Sequence, residues 1–512
     1  MDSSINHERP PYGLLAVLMV AAFIAFLNNT LLNIALPSIM DDLEVGPSTV
    51  QWLTTGFMLV NGVLIPTTAF LIQKYSVRKL YIAAMGLFLL GTVLAGFAHE
   101  FPLLLAGRMT QASGSAILMP LLMNVMLVSF PVEKRGAAMG VFGLVLMGAP
   151  AIGPTLSGYL VEHYGWRMLF HFVTPIAVIV LLLGIFLIKD KKERLNIKLD
   201  YFSVLLSSIG FGGLLYGFSS AGNKGWDSPY VYGTIAAGVI ALTWFILRQV
   251  YQDTPMLNFK IFKYPMYALS ISISMVLTMA MFSGMLLLPI YVQTIRGISP
   301  LDAGLMLLPG AILMAVMSPI TGKLFDKYGG RILAIVGLAI TVVTSYLFSK
   351  LTMDTSYTEL IILYTVRMFG MSMVMMPVST NGLNQLPAVY YPHGTAMNNT
   401  LQQVSGAIGT ALLVTIMSNR AESRGIELGN VAMKNAASSG AQPTAEQVAQ
   451  LKEQITMQAT LDGINFAFFV SVFIAALALV MAFFIKRAKQ EEDIIGKKTD
   501  GGAVMPKLAG NN

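Results

Sequence analysis

Apolar positions along the chain run in blocks of about 20 residues between Tyr12 and Ile485, separated by short breaks rich in charge or turn-forming residues. About 20 apolar residues in a helix cross a hydrocarbon core about 30 Å thick. Fourteen blocks qualify: 12–35, 50–72, 79–98, 102–128, 137–160, 168–188, 201–220, 230–250, 266–292, 303–323, 332–349, 359–386, 395–418 and 463–485. The pattern predicts an all-α polytopic membrane protein. The leading MDSSINHERPPYG has no basic leader with a cleavage site, so the first block is expected to stay as a span.

The blocks repeat. The break Ala69–Lys79 resembles Thr321–Arg331, which sets Gln73 against Asp326 at an offset of 253 residues. Arg108-Met109 matches Arg367-Met368 at 259, and Gly136-Ala-Ala-Met139 matches Gly394-Thr-Ala-Met397 at 258. Near-constant offsets predict two related six-span halves, and parallel repeats of this kind are characteristic of transporters whose bundles rock about a shared site. The expected division is a first bundle over 1–190, two inserted spans over 191–265, a second bundle over 266–486 with an external loop at 419–461, and a tail over 487–512. A short polar helix is expected at Ala445–Ala459.

Composition sharpens this reading. Apolar residues make up 55% of the 512 and charged residues 12%, against about 25% charged in a soluble domain, which excludes a soluble enzyme. Lys and Arg exceed Asp and Glu by 7. Placing both termini and the even-to-odd connections on one face gathers 23 of the Lys and Arg there, against 8 on the other face. The positive-inside rule then makes the termini cytoplasmic, and the positive charge meets anionic lipid rather than nucleic acid. No cysteine is present and the five histidines show no metal-ligand spacing, so no metal site is expected. A phosphate-binding G-x-x-x-x-G-K-[ST] loop is also missing from the sequence, which argues against an ATP-driven pump.

Ionisable residues inside spans are costly and usually face a partner or a wet cavity. Arg108 and Arg367 are of this kind. Each either faces such a site or snorkels to the interface. In the thirteenth block, Asn398, Asn399, Gln402 and Gln403 line adjoining faces with Gly406 and Gly409. They either line a cavity or bond a neighbouring helix. Asn124, Asn381 and Asn384 are weaker examples. The 33 methionines suit adaptable apolar surfaces.

Three motifs carry a family resemblance. Gly322-Lys-Leu-Phe-Asp326-Lys327-Tyr-Gly329-Gly330-Arg331 is similar to the loop between the second and third spans of each half in the major facilitator superfamily. Its glycines permit a tight turn, and its carboxylate can accept hydrogen bonds from a helix N-terminus. The first-half copy carries Gln73 for Asp, Ala69 and Ser76 for the glycines, and Arg78. Ala149-Pro150-Ala-Ile-Gly153-Pro154-Thr-Leu-Ser157-Gly158 resembles the Gly-Pro motif of the superfamily's antiporters. Leu27-Asn28-Asn29-Thr30-Leu-Leu-Asn33-Ile-Ala-Leu-Pro37 resembles the span-1 signature of its fourteen-span drug:proton antiporters, the EmrB/QacA type. Trp166-Arg167, Gln293–Pro309 and Met376–Asn419 extend the similarity, whose nearest flavour is the lincomycin-resistance branch.

The resemblance implies a bacterial cell-membrane exporter of amphipathic or cationic drugs, driven by a proton gradient through alternating access, with no cofactor. No protein partner can be named. It implies a coupling role for Arg108 and Gln111, and latch roles for Asp326, Gly322, Gly329 and Arg331. One departure matters. Where many relatives carry Asp in span 1, this chain has Asn28, and none of its 26 acids lies deep in a block. Proton coupling must then use an acid near a span end or another group, or be absent. A lipid or glycolipid flippase and a non-transporting scaffold are the alternatives.

Overall fold

The computed structural model describes residues 11–189, 200–439 and 445–487. Most of the basic run ending at Arg194 and of the 487–512 tail therefore lies outside the described residues.

Fourteen helices are long and apolar enough to span a bilayer. They are α1 (Tyr12–Asp42), α2 (Trp52–Lys74), α3 (Val77–Gly96), α4 (Phe101–Ser129), α5 (Arg135–Tyr164), α6 (Arg167–Leu187) and α7 (Tyr201–Lys224). After α8 (Pro229–Tyr251) come α9 (Pro265–Ile295), α10 (Pro300–Tyr328), α11 (Gly330–Phe348) and α12 (Tyr357–Leu383). The last two are α13 (Tyr391–Ser439) and α14 (Ala445–Ala482). Their ends follow local chemistry. Ser76, Ser299 and Ser356 cap α3, α10 and α12 by accepting main-chain N–H groups. Gly329, at φ 80°, ends α10 and starts α11 in a backbone conformation that suits glycine. Two spans are interrupted. α9 passes through π-helical turns at Ser283–Leu287 and Tyr291–Ile295, and α12 breaks into Tyr357–Ser372 and Met375–Leu383.

Packing repeats with a shift of eight helices. Within the first half, α3 packs on α4, α2 on α4, α1 on α5, α3 on α6 and α1 on α6; the equivalents α11/α12, α10/α12, α9/α13, α11/α14 and α9/α14 also pack together. The halves meet through α5 with α10 and, symmetrically, α2 with α13. The fold is thus two six-helix bundles plus two extra helices. Of the extra pair, α7 lies against α2 and α13, and α8 packs on α7. There Trp52 stacks on Tyr216 at 5.8 Å and the Trp226 Nε1–H donates to Thr415 at 2.6 Å.

The segment 419–461 departs from the sequence expectation. Ala445–Ala459 is helical, but as the first part of a long helix and not as a separate short one. α13 runs on to Ser439 and α14 begins at Ala445. At 49 residues, α13 is about 70 Å long, more than twice a hydrocarbon core. The apolar signal stops near 418, but the following Ala-, Glu- and Lys-bearing sequence keeps good helix propensity. Arg424 also pairs across the two helices with Asp462 at 2.7 Å.

Candidate functional site

Two faces orient the description: the terminal face, where α1 begins and α14 ends, and the far face opposite. The most concentrated buried polar chemistry lies around the two intramembrane arginines. Neither snorkels, since both are 0% exposed. Arg108 Nη1 donates to Gln111 Oε1 at 2.8 Å and Nη2 to Asn29 Oδ1 at 3.1 Å, while the guanidinium lies over the Phe57 ring at 4.5 Å. Gln111 passes the chain on, donating to Thr92 Oγ1 at 2.8 Å. α1, α2, α3 and α4 therefore converge on one guanidinium. Glycine makes the approach feasible, because a Cβ on Gly91 or Gly107 would run into the facing backbone of α4 or α3.

The second half builds a counterpart. Arg367 Nη1 donates to Ser345 Oγ at 2.7 Å, and Nη2 to Ser283 Oγ at 2.8 Å and the Ala280 carbonyl at 2.7 Å. The Ala280 carbonyl stands where α9 enters its first π-helical turn, which supplies a backbone acceptor to a neighbouring helix. Among the described residues, the buried charged side chains are Arg108, Arg135 and Arg367, with no buried carboxylate. Each Nε is buried without a partner at Arg108 and Arg367.

Asn28 is buried with Nδ2 unpartnered; its neighbour Asn29, not singled out from the sequence, is the residue that reaches Arg108. The side chains of Asn33 and Pro154 lie outside the described residues. Gly153 sits tightly against Thr30, Ser157 Oγ donates to the Leu31 carbonyl at 2.6 Å, and Gly158 follows half-buried on α5. The Gly-Pro segment thus anchors α5 to α1. Asn398 donates to Ser379 Oγ at 3.1 Å and Asn381 to the Lys486 carbonyl at 3.3 Å. Asn399 donates to the Thr395 carbonyl at 2.8 Å and touches Met123 of the other half. Asn124 is buried with Oδ1 unpartnered. Gln402 lines a narrow cleft with Ser274, Thr278, Met281, Met371 and Met375.

At the terminal face the halves lock. Asp326 on α10 accepts the Gly136 and Ala137 N–H groups of α5, one per carboxylate oxygen, at 2.8 Å each. This places an anion on two free amides at the positive end of a helix. Gly322 and Gly136 bring the two backbones into direct apposition; a Cβ on either would strike the other helix. Arg135, missed in the sequence, donates to the Phe130 carbonyl at 2.9 Å and to Asn384 Oδ1 at 3.2 Å. Arg487 donates to the Asp326 carbonyl at 2.6 Å. Arg331 is exposed, and Arg78 donates to the Ile185 carbonyl of α6 at 2.9 Å, within the first half. The equivalent site across α2 and α13 holds Gln73, whose Nε2 stands 3.1 Å from His393 Nε2.

The far face carries a different tie. Arg167 donates to Asp42 Oδ2 at 2.7 Å and Trp166 Nε1–H donates to the same oxygen at 3.1 Å. These bonds, led by Arg167, hold the Asp42 carboxyl below the usual carboxylate range. In the extra hairpin, burial pushes the Asp200 carboxyl up, but bonds from Arg248, Ser203 and Gln252 outweigh it and leave it well below that range.

A sequence-encoded pair of six-helix bundles, held together at one face and built around buried polar cages, is the architecture of a transporter. The pattern of the Major Facilitator Superfamily matches residues 18–410, and the chain belongs to that family. It is 52% identical to the MFS-type transporter YhcA of Bacillus subtilis over 81% of this chain and 78% of that one. It is 43% identical to the lincomycin resistance protein LmrB of Bacillus subtilis, over 92% of this chain and 95% of that protein. The fold is that of the human organic anion transporter MFSD10, with a TM-score of 0.65 at 12% identity over 93% of this chain and 100% of that chain.

Proposed function

We propose that the protein exports amphipathic or cationic compounds across the bacterial cell membrane by exchange with protons, with the terminal face cytoplasmic. The observation that carries this reading is the join between halves at that face. Asp326 on the Gly136 and Ala137 amides and the Gly136–Gly322 apposition are reversible contacts between two bundles, so breaking them would expose a central site to the cytoplasm. The 43% identity to a lincomycin resistance protein supports a drug as cargo. The excess of Lys and Arg on the terminal face supports its orientation. With no buried carboxylate among the described residues, a cationic cargo would be held by methionine, hydroxyl and amide surfaces, as in the cleft beside Gln402.

The flippase alternative needs a lateral opening. α5 against α10 occupies one seam, and α7 lies against α2 and α13 at the other, which favours the drug reading. The test is uptake of lincomycin and a fluorescent lipophilic cation into proteoliposomes, with and without an imposed proton gradient. We expect the gradient to accelerate uptake and Arg108→Ala to abolish the acceleration. Uptake indifferent to the gradient would overturn antiport, and uptake of labelled lipid alone would favour the flippase.

A further inference from the structure

The two locks at the terminal face are related by the internal repeat but use different chemistry. Gln73 stands where the other lock has Asp326, and His393 where it has Arg135, at the 253- and 258-residue offsets of the repeat. His393 is buried, with 5% of its surface exposed. Its Nδ1 faces the Asn258 main-chain N–H at 3.2 Å, on the connection from α8 to α9. Its Nε2 stands 3.1 Å from the Gln73 amide on α2.

A main-chain N–H can only donate, so Nδ1 must carry a lone pair, and the single hydrogen of a neutral ring sits on Nε2. The Gln73 Nε2 is committed to the Ala69 carbonyl at 2.9 Å and offers the ring no acceptor, so the Asn258 bond alone fixes the neutral tautomer. Protonation changes both features. Nδ1–H would point at the Asn258 N–H, donor against donor. A full charge would also sit in a buried seam, and none of the ion pairs among the described residues reaches it. The surrounding charges do not help. Lys74 lies over the Phe70 and Tyr75 rings, Arg135 over Tyr391, and Asp253, Lys260 and Lys263 on the connection are exposed. The phenols of Tyr390, 6.5 Å from the ring, of Tyr264 beside it, of Tyr267, which donates to the Gly394 carbonyl, and of Tyr391 under Arg135 stand nearby. An imidazolium is better served by water, which it reaches if α13 withdraws from α2 and the connection.

We propose that His393 is a proton-binding site of the terminal face: unprotonated, it closes the α2/α13 seam, and protonated, it releases it. This deepens the antiport reading and rests on its alternating-access element. It supplies a titratable group where the described residues hold no buried carboxylate. No covalent step is involved; one proton is taken up from terminal-face water on opening and returned to it on closing, so the site gates that face and does not itself carry the proton across.

The natural chain lacks cysteine, so Tyr75→Cys with Val389→Cys, both at exposed positions flanking the seam, can carry a spin-label pair directly. Distances are recorded for the full chain in nanodiscs at about pH 8 and about pH 5.5, on either side of imidazole titration. We expect a short distance at the higher pH and growth of a longer population at the lower, by up to about tenfold per pH unit, the limit for one proton. His393→Asn keeps an acceptor in the Nδ1 position and cannot titrate; we expect it to stay short at both. His393→Gln is the second variant, with the same expectation of lost pH response. A pair that lengthens with added lincomycin but not with acid overturns this proposal alone. Equal acid response in both variants and the natural residue overturns it as well. A distance fixed under every condition overturns it together with alternating access.

Discussion

Arg108 and Arg367 are two buried guanidinium groups that occupy equivalent places in the two halves. Arg108 takes Asn29 from α1 and, through Gln111, Thr92 from α3. Arg367 takes Ser283 from α9 and Ser345 from α11, the helices eight positions on. Each cage ties the first, third and fourth helices of its half into a body that can move as a unit.

Removing either arginine strands its partners. Hydrogen bonds to charged groups contribute about 1.5–3 kcal/mol each. We expect Arg108→Ala and Arg367→Ala to lower the melting temperature in detergent, and Arg367→Lys to recover only part of the loss because an ammonium cannot span Ser345, Ser283 and Ala280 in one plane. Thermal unfolding of the purified variants measures this.

At the terminal lock the close approach of backbones makes size decisive. A methyl added at Gly322 meets the Gly136 carbonyl, and such overpacking costs about 1–3 kcal/mol. That cost falls only on the closed face, so Gly322→Ala should shift the population toward opening by about 5–150-fold. Maleimide labelling of a cysteine placed at Asn384, which lines the small terminal-face cleft beside Asp326, should speed up accordingly.

Asp326→Asn keeps the shape but trades a carboxylate for an amide on the Gly136 and Ala137 N–H groups. One oxygen acceptor survives, so the loss should stay near the cost of a weakened helix cap, about 0.5–2 kcal/mol. The same labelling assay should rank it below Gly322→Ala.

Asp42 gives a pH signature on the other face. Its carboxyl sits below its unfolded value because Arg167 and Trp166 donate to it, so the stabilisation is complete above about pH 4, the unfolded value. It is lost as pH falls through the folded value. The pair is partly exposed, with side chains 28% and 44% accessible, and such pairs contribute about 0.2–1 kcal/mol. Asp42→Asn should therefore melt slightly lower at neutral pH, and the difference should vanish in strong acid.

The spans were readable because each apolar block is long enough to cross a bilayer. The extensions of α13 and α14 were not, since hydropathy falls silent outside the membrane while helix propensity continues. Arg108 and Gln111 stand one helical turn apart, so their pairing was accessible from spacing. Asn29 was not, because neighbouring residues on a helix face different ways and only packing chooses between Asn28 and Asn29. The Arg367 cage depends on two serines and a π-turn that leave no mark in composition. His393 was passed over because histidines were weighed by metal-ligand spacing, whereas its role comes from a main-chain donor at Asn258, far away in sequence.

Antiport requires that protons move whenever drug moves. A pH-sensitive dye sealed inside proteoliposomes, initially without a gradient, reports protons as lincomycin is added outside. We expect a proton flux opposite to drug entry that appears only with protein and is lost in Arg108→Ala. Drug entry confirmed by direct counting, with no protein-dependent change in internal pH, would contradict it.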